Sequence, residues 1–372
     1  QDYNNTFDTH NLSVDPNGSE KINGGEAGQT VTLSTEGQGV TFVYIDSTVG
    51  WRSVQDNEFA QAGQPPFIEA TGGTISTSGD FKVHTFTGPG TFAVSQISPA
   101  PACNQIDYLV VAGGGGAGKS HTSPNGASGG GGGGFRVSND TCMPSPLTSP
   151  LANSTGIAAT VASFPITVGG GGAGATGPSC SPPGVKGSNS VFSTITSTGG
   201  GFGSGNQDHA EAPGDGGPGG SGGGAHQHGP SKSIGAGNTP PVSPPQGNNG
   251  GSGNSPSGEG GGGAGAAATN STPGNNAGSG GIGSFVVSAG FAGCNGTPGP
   301  VGSARYFAGG GGGSNSPGRS PAGAAGSGGA GGGSGGGAGS GTTNTGGGGG
   351  AATGSSAGSG GSGIVILRYK FQ

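Results

Sequence analysis

The sequence predicts an all-β chain dominated by a polyglycine-II-type glycine-rich lattice, with essentially no α-helix. Of the 372 residues, 98 are glycine and only 8% are charged, whereas about 25% charged residues is usual. After Ala112, short apolar segments alternate with glycine runs. No stretch there has helical periodicity, and glycine costs about 1 kcal/mol per residue in a helix relative to alanine. These observations exclude a helical fold for the glycine-rich region.

Residues 1–64 are predicted to form a small N-terminal β module that anchors and trimerises the chain. Thr30–Ser34 and Val40–Asp46 alternate apolar and polar side chains, as half-buried strands do. Gly37-Gln-Gly39 is expected to be the turn between them. We expect Tyr44 and Trp51 to lie in the core of this module or at a trimer interface.

A β-sandwich is predicted from residues 65–112 together with 362–372. Phe81–Phe86 and Gly90–Ser95 alternate, and the intervening Gly88-Pro89 predicts a hairpin. Ile106–Ala112 and Gly363–Phe371 are more continuously apolar, and they flank the glycine-rich region. We expect these two strands to pair, so that the sandwich closes around a long insertion.

The insertion, residues 113–361, is predicted to be the polyglycine-II-type domain with surface loops. In this conformation the chain has three residues per turn and its N–H and C=O groups point sideways. Without a Cβ atom, neighbouring segments approach closely enough to bond to each other, which satisfies the backbone without a side-chain core. The runs 129–134, 309–313 and 346–350 are predicted rods of this lattice.

The strand and turn at Asp107–Ser120 also match the pattern G-x-x-x-x-G-K-S of a phosphate-binding P-loop. A P-loop needs a helix whose amides face the phosphates, and the sequence His-Thr-Ser-Pro-Asn-Gly after Ser120 cannot form one. We therefore predict no nucleotide site and no enzyme. Lys119, Ser120 and His121 are expected to decorate a loop where the chain leaves the first rod.

Charge and hydropathy exclude two classes of partner. The net charge is −6 and no block of basic residues occurs, which argues against nucleic-acid binding. No apolar run approaches the roughly 20 residues that span a bilayer, so we expect no membrane insertion. The chain begins with Gln1, and we expect it to be processed or to be part of a longer product.

Four cysteines occur, and no two of them form a C-x-x-C pair, which argues against zinc. They are Cys103, Cys142, Cys180 and Cys294. An even number on a loop-rich chain suggests two disulfides with three possible connectivities. Cys103 with Cys142 is the preferred pair because both flank the first glycine excursion, and four unpaired thiols are the alternative.

His226-Gln-His228 is the candidate metal site. Histidines two residues apart in an extended chain point the same way. In a trimer, three such pairs would offer six nitrogens to one transition metal, which suits octahedral coordination. The alternative is a solvated polar loop or a receptor contact, and no other cofactor is expected.

Several segments resemble the glycine-rich domain of phage tail-fibre and fibre-like virion proteins, common in marine cyanophages. They are Asp107–Gly116, Gly131–Arg136, Phe164–Gly172 and Gly363–Tyr369. Ala70–Phe92 resembles the segment that precedes this domain, and Val40–Trp51 resembles a β module upstream of it. The resemblance implies an extracellular homotrimer on a virion, similar to polyglycine-II tail-fibre adhesins, with other tail or fibre proteins as partners.

The same resemblance implies that loops at the lattice edge touch a glycan or protein of the host surface. The segment between Phe202 and Asn249 has no pattern that matches the family, and loops of this kind choose hosts. The expected contact residues are Asp208, His209, His226, His228 and Lys232. The alternatives are a purely structural capsid or tail decoration fibre, or a bacterial extracellular filament subunit.

Overall fold

A computed structural model describes most of the chain. The described residues are 2–54, 67–98, 104–120, 125–140, 148–177, 182–205, 214–226, 233–253, 257–272, 276–315, 322–331 and 338–371. They form two compact units, one of Gln1–Phe67 with Ser98–Pro101 and the other of Ile68–Ile97 with Ala102–Gln372.

The described residues are all-β, as predicted. The first unit contains β1 Leu12–Val14, β2 Val31–Leu33, β3 Phe42–Asp46 and β4 Gly50–Ser53. The second contains β5 Glu69–Thr71, β6 Thr74–Ser78, β7 Phe81–Phe86, β8 Gly90–Gln96, β9 Gln105–Val111, β10 Lys119–Ser120, β11 Phe135–Ser138, β12 Ala152–Asn153, β13 Ile157–Ala158, β14 Ser163–Thr167, β15 Ser190–Phe192, β16 Ile195–Ser197, β17 Ser284–Val287, β18 Ala304–Phe307, β19 Ala352–Thr353 and β20 Ile364–Lys370. The described helical residues are one π-helical turn, Ser288–Ala292, with non-helical dihedral angles at Ala289 and Gly290.

In the first unit, the expected turn at Gly37-Gln-Gly39 does not join two paired strands. β2 pairs back to β1, and β3 pairs forward to β4. The physical reason lies at Asp46, whose Oδ1 accepts the backbone N–H of Thr48 at 2.8 Å and of Val49 at 2.7 Å. An aspartate that bonds the backbone in this way favours a tight turn directly after β3.

Two sheets of the second unit face each other across a shared core. The seven-stranded sheet has the order β12-β11-β9-β20-β7-β6 with β13 on β9, and the five-stranded sheet has the order β16-β15-β14-β8-β5. Phe92 and Phe192 of the five-stranded sheet pack in one cluster with Tyr108 and Leu367 of the seven-stranded sheet. The expected pairing of the two apolar strands across the glycine region is confirmed, because β9 and β20 are antiparallel neighbours.

The predicted hairpin between β7 and β8 is wrong. β7 pairs with β6 and β20, whereas β8 pairs with β5 and β14. Gly88-Pro89 therefore leads the chain from one sheet to the other. Both strands bury one face in the shared core, so their alternation is satisfied equally well by pairing within a sheet or by lying in opposite sheets.

The other face of the seven-stranded sheet is also covered. It packs against the β17–β18 hairpin and the π-helical turn in a second cluster that includes Val111, Ile366, Val286, Phe291 and Phe307. Burial on both faces explains why β9 and β20 are continuously apolar instead of alternating.

Beyond the sheets, the glycine segments form a hydrogen-bonded lattice with a period of three residues. In segment 113–118, the amides of residues 113 and 116 donate to the segment at 185–188, those of 114 and 117 to 358–361, and those of 115 and 118 to 128–131. Carbonyls of the same segment accept amides of residues 172, 200 and 349 from three further segments. Six neighbours and a period of three are the geometry of polyglycine II, and the runs 129–134, 309–313 and 346–350 take part as predicted.

Candidate functional site at the distal end of the lattice

The lattice segments run in two opposite directions relative to the sheets. Segment 113–118 follows β9 directly and leads away from the sheets. Gly172 and Ala175 donate to Gly114 and Ala117, so their segment runs parallel to it. Gly113 donates to Ser188 and Gly116 donates to Val185, so the segment at 185–188 is antiparallel to 113–118 and returns toward the sheets.

The same reasoning orders the remaining segments. Outgoing segments are 113–118, 169–175, 198–205, 220–226, 247–253, 269–272, 308–314, 329–331 and 346–353. Returning segments are 126–134, 182–188, 214–219, 233–237, 257–263, 276–283, 322–327, 338–342 and 357–363. We call the end away from the sheets the distal end.

The ends of the outgoing segments and the starts of the returning segments lie together at the distal end. Among the described residues, outgoing segments extend to Ser120, Gly177, Gly205, His226, Gly253, Thr272, Asn315 and Gly331. Returning segments start at Asn125, Pro182, Gly214, Ser233, Ser257, Asn276, Ala322 and Ala338.

Buried polar side chains bond the distal ends of adjacent segments to one another. Lys119 Nζ donates to the carbonyl of Gly177 at 2.5 Å, and Ser120 Oγ donates to that of Asn125 at 2.6 Å. Thr353 Oγ1 donates to the carbonyl of Asn315 at 2.9 Å. Each of these bonds joins two different segments at the distal end.

These contacts correct the expectation for Lys119 and Ser120. They do not decorate a loop: they form β10, which pairs in parallel with β19, and both are buried. The amides of residues 113–118 all donate to backbone carbonyls at 2.8–3.1 Å, so they do not form a phosphate cradle. His121 lies outside the described residues.

The structure places His226 inside the distal end. Its side chain is 2% exposed, and its backbone N–H donates to Ser204 Oγ at 2.6 Å and to the carbonyl of Gly214 at 3.0 Å. A receptor-contact residue would have its ring at the surface. His228 lies outside the described residues, and among the described ones no three His, Cys, Asp or Glu side chains group together.

The other predicted site residues are mostly outside the described part of the chain. This holds for Asp208, His209 and Lys232 among the contact residues and for Cys103, Cys142 and Cys180 among the cysteines. Cys294 is exposed, and no other cysteine lies among the described residues.

Glu259 is a buried carboxylate that sequence reasoning missed. Its side chain is 0% exposed, and its Oε2 accepts the backbone N–H of Ser271 at 2.6 Å. The Ser271 hydroxyl donates to Oε1. Burial raises the pKa of Glu259 above its ordinary value, against the opposing effect of the Ser271 hydrogen bonds. The available signal was a lone carboxylate within the glycine run at 258–263.

Two comparisons bear on the identity of this architecture. A family model described as a glycine-rich domain matches residues 85–370. That range includes the strands from β8 to β20 and the whole lattice. No curated protein sequence matches the chain.

The described residues contain no helix with the length and apolar character required to cross a bilayer.

Proposed function

This chain belongs to the glycine-rich domain family, and we propose that it is a phage virion fibre protein, a tail-fibre tip adhesin that contacts the host cell surface. In this proposal the protein is extracellular, is attached to other tail or fibre proteins, and binds a glycan or protein of the host. It performs no enzymatic reaction. The loops of a rigid glycine-rich domain make the contact.

The convergence of segment ends at the distal end carries this proposal. Adhesion needs contact residues that are held in fixed positions, and functional residues concentrate on loops that a rigid scaffold positions. The lattice is such a scaffold because its segments are bonded to one another, with six neighbours around segment 113–118. Asp208, His209, His228 and Lys232 occur in stretches whose described neighbours, Gly205, Gly214, His226 and Ser233, are distal ends of segments.

We propose a homotrimer for the assembled fibre. Three copies of a weakly binding tip act together, which raises avidity by roughly 10²–10⁴ when the geometry allows simultaneous contact. Mass photometry measures the stoichiometry.

Cell binding tests the adhesin assignment. The labelled protein is incubated with a panel of marine cyanobacteria, alongside the double variants Asp208→Ala/His209→Ala and His228→Ala/Lys232→Ala. We expect the protein to bind some strains and each variant to bind them more weakly, with unchanged thermal unfolding.

The double variant Asp8→Ala/His10→Ala is the matched control, because both of these side chains are exposed in the first unit. Equal losses in the control and the loop variants would contradict the location of the contact. Imaging of labelled virions would then decide between a structural decoration fibre and an adhesin, since a decoration fibre appears on the virion without binding to cells.

A further inference from the structure

A large cleft lies beside the edge strand of the seven-stranded sheet, at the opposite end of the second unit from the distal end. Its volume is about 940 Å³, which is in the range of small-ligand pockets. Strands β6 and β7 form one side. The π-helical turn with the residues after it, and the start of β18, form the other side.

The sheet side of the cleft presents a row of hydroxyl groups. Thr74, Ser76 and Ser78 occupy alternate positions of β6, so their side chains point to the same face. The register pairs Ser76 with Val83, whose side chain belongs to the core cluster on this face. All three hydroxyl residues are exposed and line the cleft.

The opposite wall is held in place by its own hydrogen bonds. Ser288 Oγ donates to the carbonyl of Gly293 at 2.8 Å, and Asn295 Nδ2 donates to that of Ala292 at 2.9 Å. The ring of Phe291, which belongs to this turn, packs against the Arg368 guanidinium, with 4.8 Å between the ring centroid and Cζ. A wall of this kind binds a ligand without first being ordered, which lowers the entropic cost of binding.

Arg305 is the one charged residue among the described residues that line the cleft. It is half-buried, and its guanidinium has no ion-pair or hydrogen-bond partner among the described residues. Arg368, the other arginine near this face, is by contrast paired with Asp107 at 2.9 Å. A guanidinium with five free donors matches the geometry of a carboxylate.

We propose that this cleft binds an acidic saccharide, with a carboxylate of the sugar at Arg305 and ring hydroxyls at the Thr74, Ser76 and Ser78 row. Hydroxyl side chains both donate and accept hydrogen bonds, as the hydroxyls of a sugar do. A chain of uronic acid residues combines these two requirements. This site goes beyond the adhesin proposal, which assigns contact to the distal end.

Calorimetric titration of the whole protein with oligogalacturonate tests the site, and the methyl ester of the same oligomer is the uncharged control ligand. We expect binding of the acid form and at least about tenfold weaker binding of the ester, because charge-assisted hydrogen bonds are roughly twice as strong as neutral ones. Arg305→Gln should weaken binding of the acid by at least about tenfold, and Ser76→Leu should weaken both forms by filling the cleft.

Arg52→Gln is the matched variant, because Arg52 is exposed in the first unit and its loss changes the net charge equally. It should bind as the unaltered protein does. The proposal is overturned if oligogalacturonate does not bind, if its ester binds equally well, or if Arg305→Gln and Ser76→Leu both retain full affinity. Thermal unfolding of each variant confirms that it is folded, and Ser76→Leu tests the cleft should Arg305→Gln not fold.

Discussion

At the scale of single residues, the glycines of the lattice are required because backbone replaces side chain as the packing partner. A Cβ atom on Gly115 would lie 2.0 Å from the carbonyl oxygen of Gly201. No real Cβ atom is accommodated at that distance from backbone. The absence of a side chain is therefore a steric requirement here, since Gly115 has no positive φ to demand glycine.

Replacement of Gly115 by alanine should disrupt the lattice. Overpacking in a core costs typically 1–3 kcal/mol, and backbone on both sides of Gly115 leaves no route for relief, so we expect a loss of about 3 kcal/mol or more. Gly170→Ala is the control, because no heavy atom lies within 4 Å of its Cβ position. It should change the unfolding free energy by about 1 kcal/mol or less. Chemical denaturation measures both, and equal effects would contradict the lattice packing.

Glu259 should make stability depend on pH. Because burial raises its folded-state pKa above the ordinary 4.5, its contribution is fully present below pH 4.5 and is lost as pH rises through the folded pKa. Glu259→Gln removes this titration. Relative to that variant, the unaltered protein should become less stable as pH rises from 4.5 through the folded-state pKa, as measured by denaturant unfolding. A constant difference between the two would show that Glu259 ionises as freely when folded as when unfolded.

At the scale of elements, the centre of the second unit is the pairing of β9 with β20. The two strands are distant in sequence, and Asp107 and Arg368 are opposite each other in their register. Asp107 Oδ2 accepts a hydrogen bond from Arg368 Nη2 at 2.9 Å. Its Oδ1 accepts hydrogen bonds from the Ser138 hydroxyl and from the backbone N–H of Asp140. Phe81 and Phe291 lie against the guanidinium at 4.6 Å and 4.8 Å.

Asp107→Asn should destabilise the fold strongly. Removal of one partner from a buried ion pair leaves an uncompensated charge and costs about 3–5 kcal/mol. The double variant Asp107→Leu/Arg368→Met should be much less destabilised, because it removes both charges. Glu26→Gln, at an exposed position, should change stability by about 0.5 kcal/mol or less. If Asp107→Asn were as mild as Glu26→Gln, the ion pair would have no role in joining β9 to β20.

At the scale of the whole molecule, segment 113–118 joins the sheets to the interior of the lattice. It has six neighbouring segments, which come from positions between 126 and 363 in the chain. To open this segment, bonds to all of them must break. The lattice therefore behaves as one cooperative unit instead of a set of independent rods.

Amide hydrogen exchange should reveal this cooperativity. Amides of residues 113–118 are expected to exchange only when the second unit unfolds globally, in spite of their glycine sequence. Exposed positions of β6 should exchange much earlier. Mass spectrometry of peptic fragments measures both, and rapid exchange at 113–118 would mean that the segment is a flexible linker.

The conformation of the glycine region follows from sequence alone. With 98 glycines and few large side chains, the chain satisfies its buried backbone only by bonding segment to segment. The two apolar strands at its ends, β9 and β20, were also identifiable because burial on both faces produces continuous apolar runs.

Which strands and glycine segments lie next to each other was decided only by the tertiary structure. A strand whose side chains alternate, or a glycine segment with three residues per turn, has no local feature that selects its neighbour. For this reason β7 and β8 were wrongly predicted to pair, and Lys119-Ser120 was expected in a loop. Glu259, the Asp107–Arg368 pair and the Arg305 cleft depend on residues far apart in the chain, and their chemistry arises from burial and proximity, which are properties of the tertiary structure.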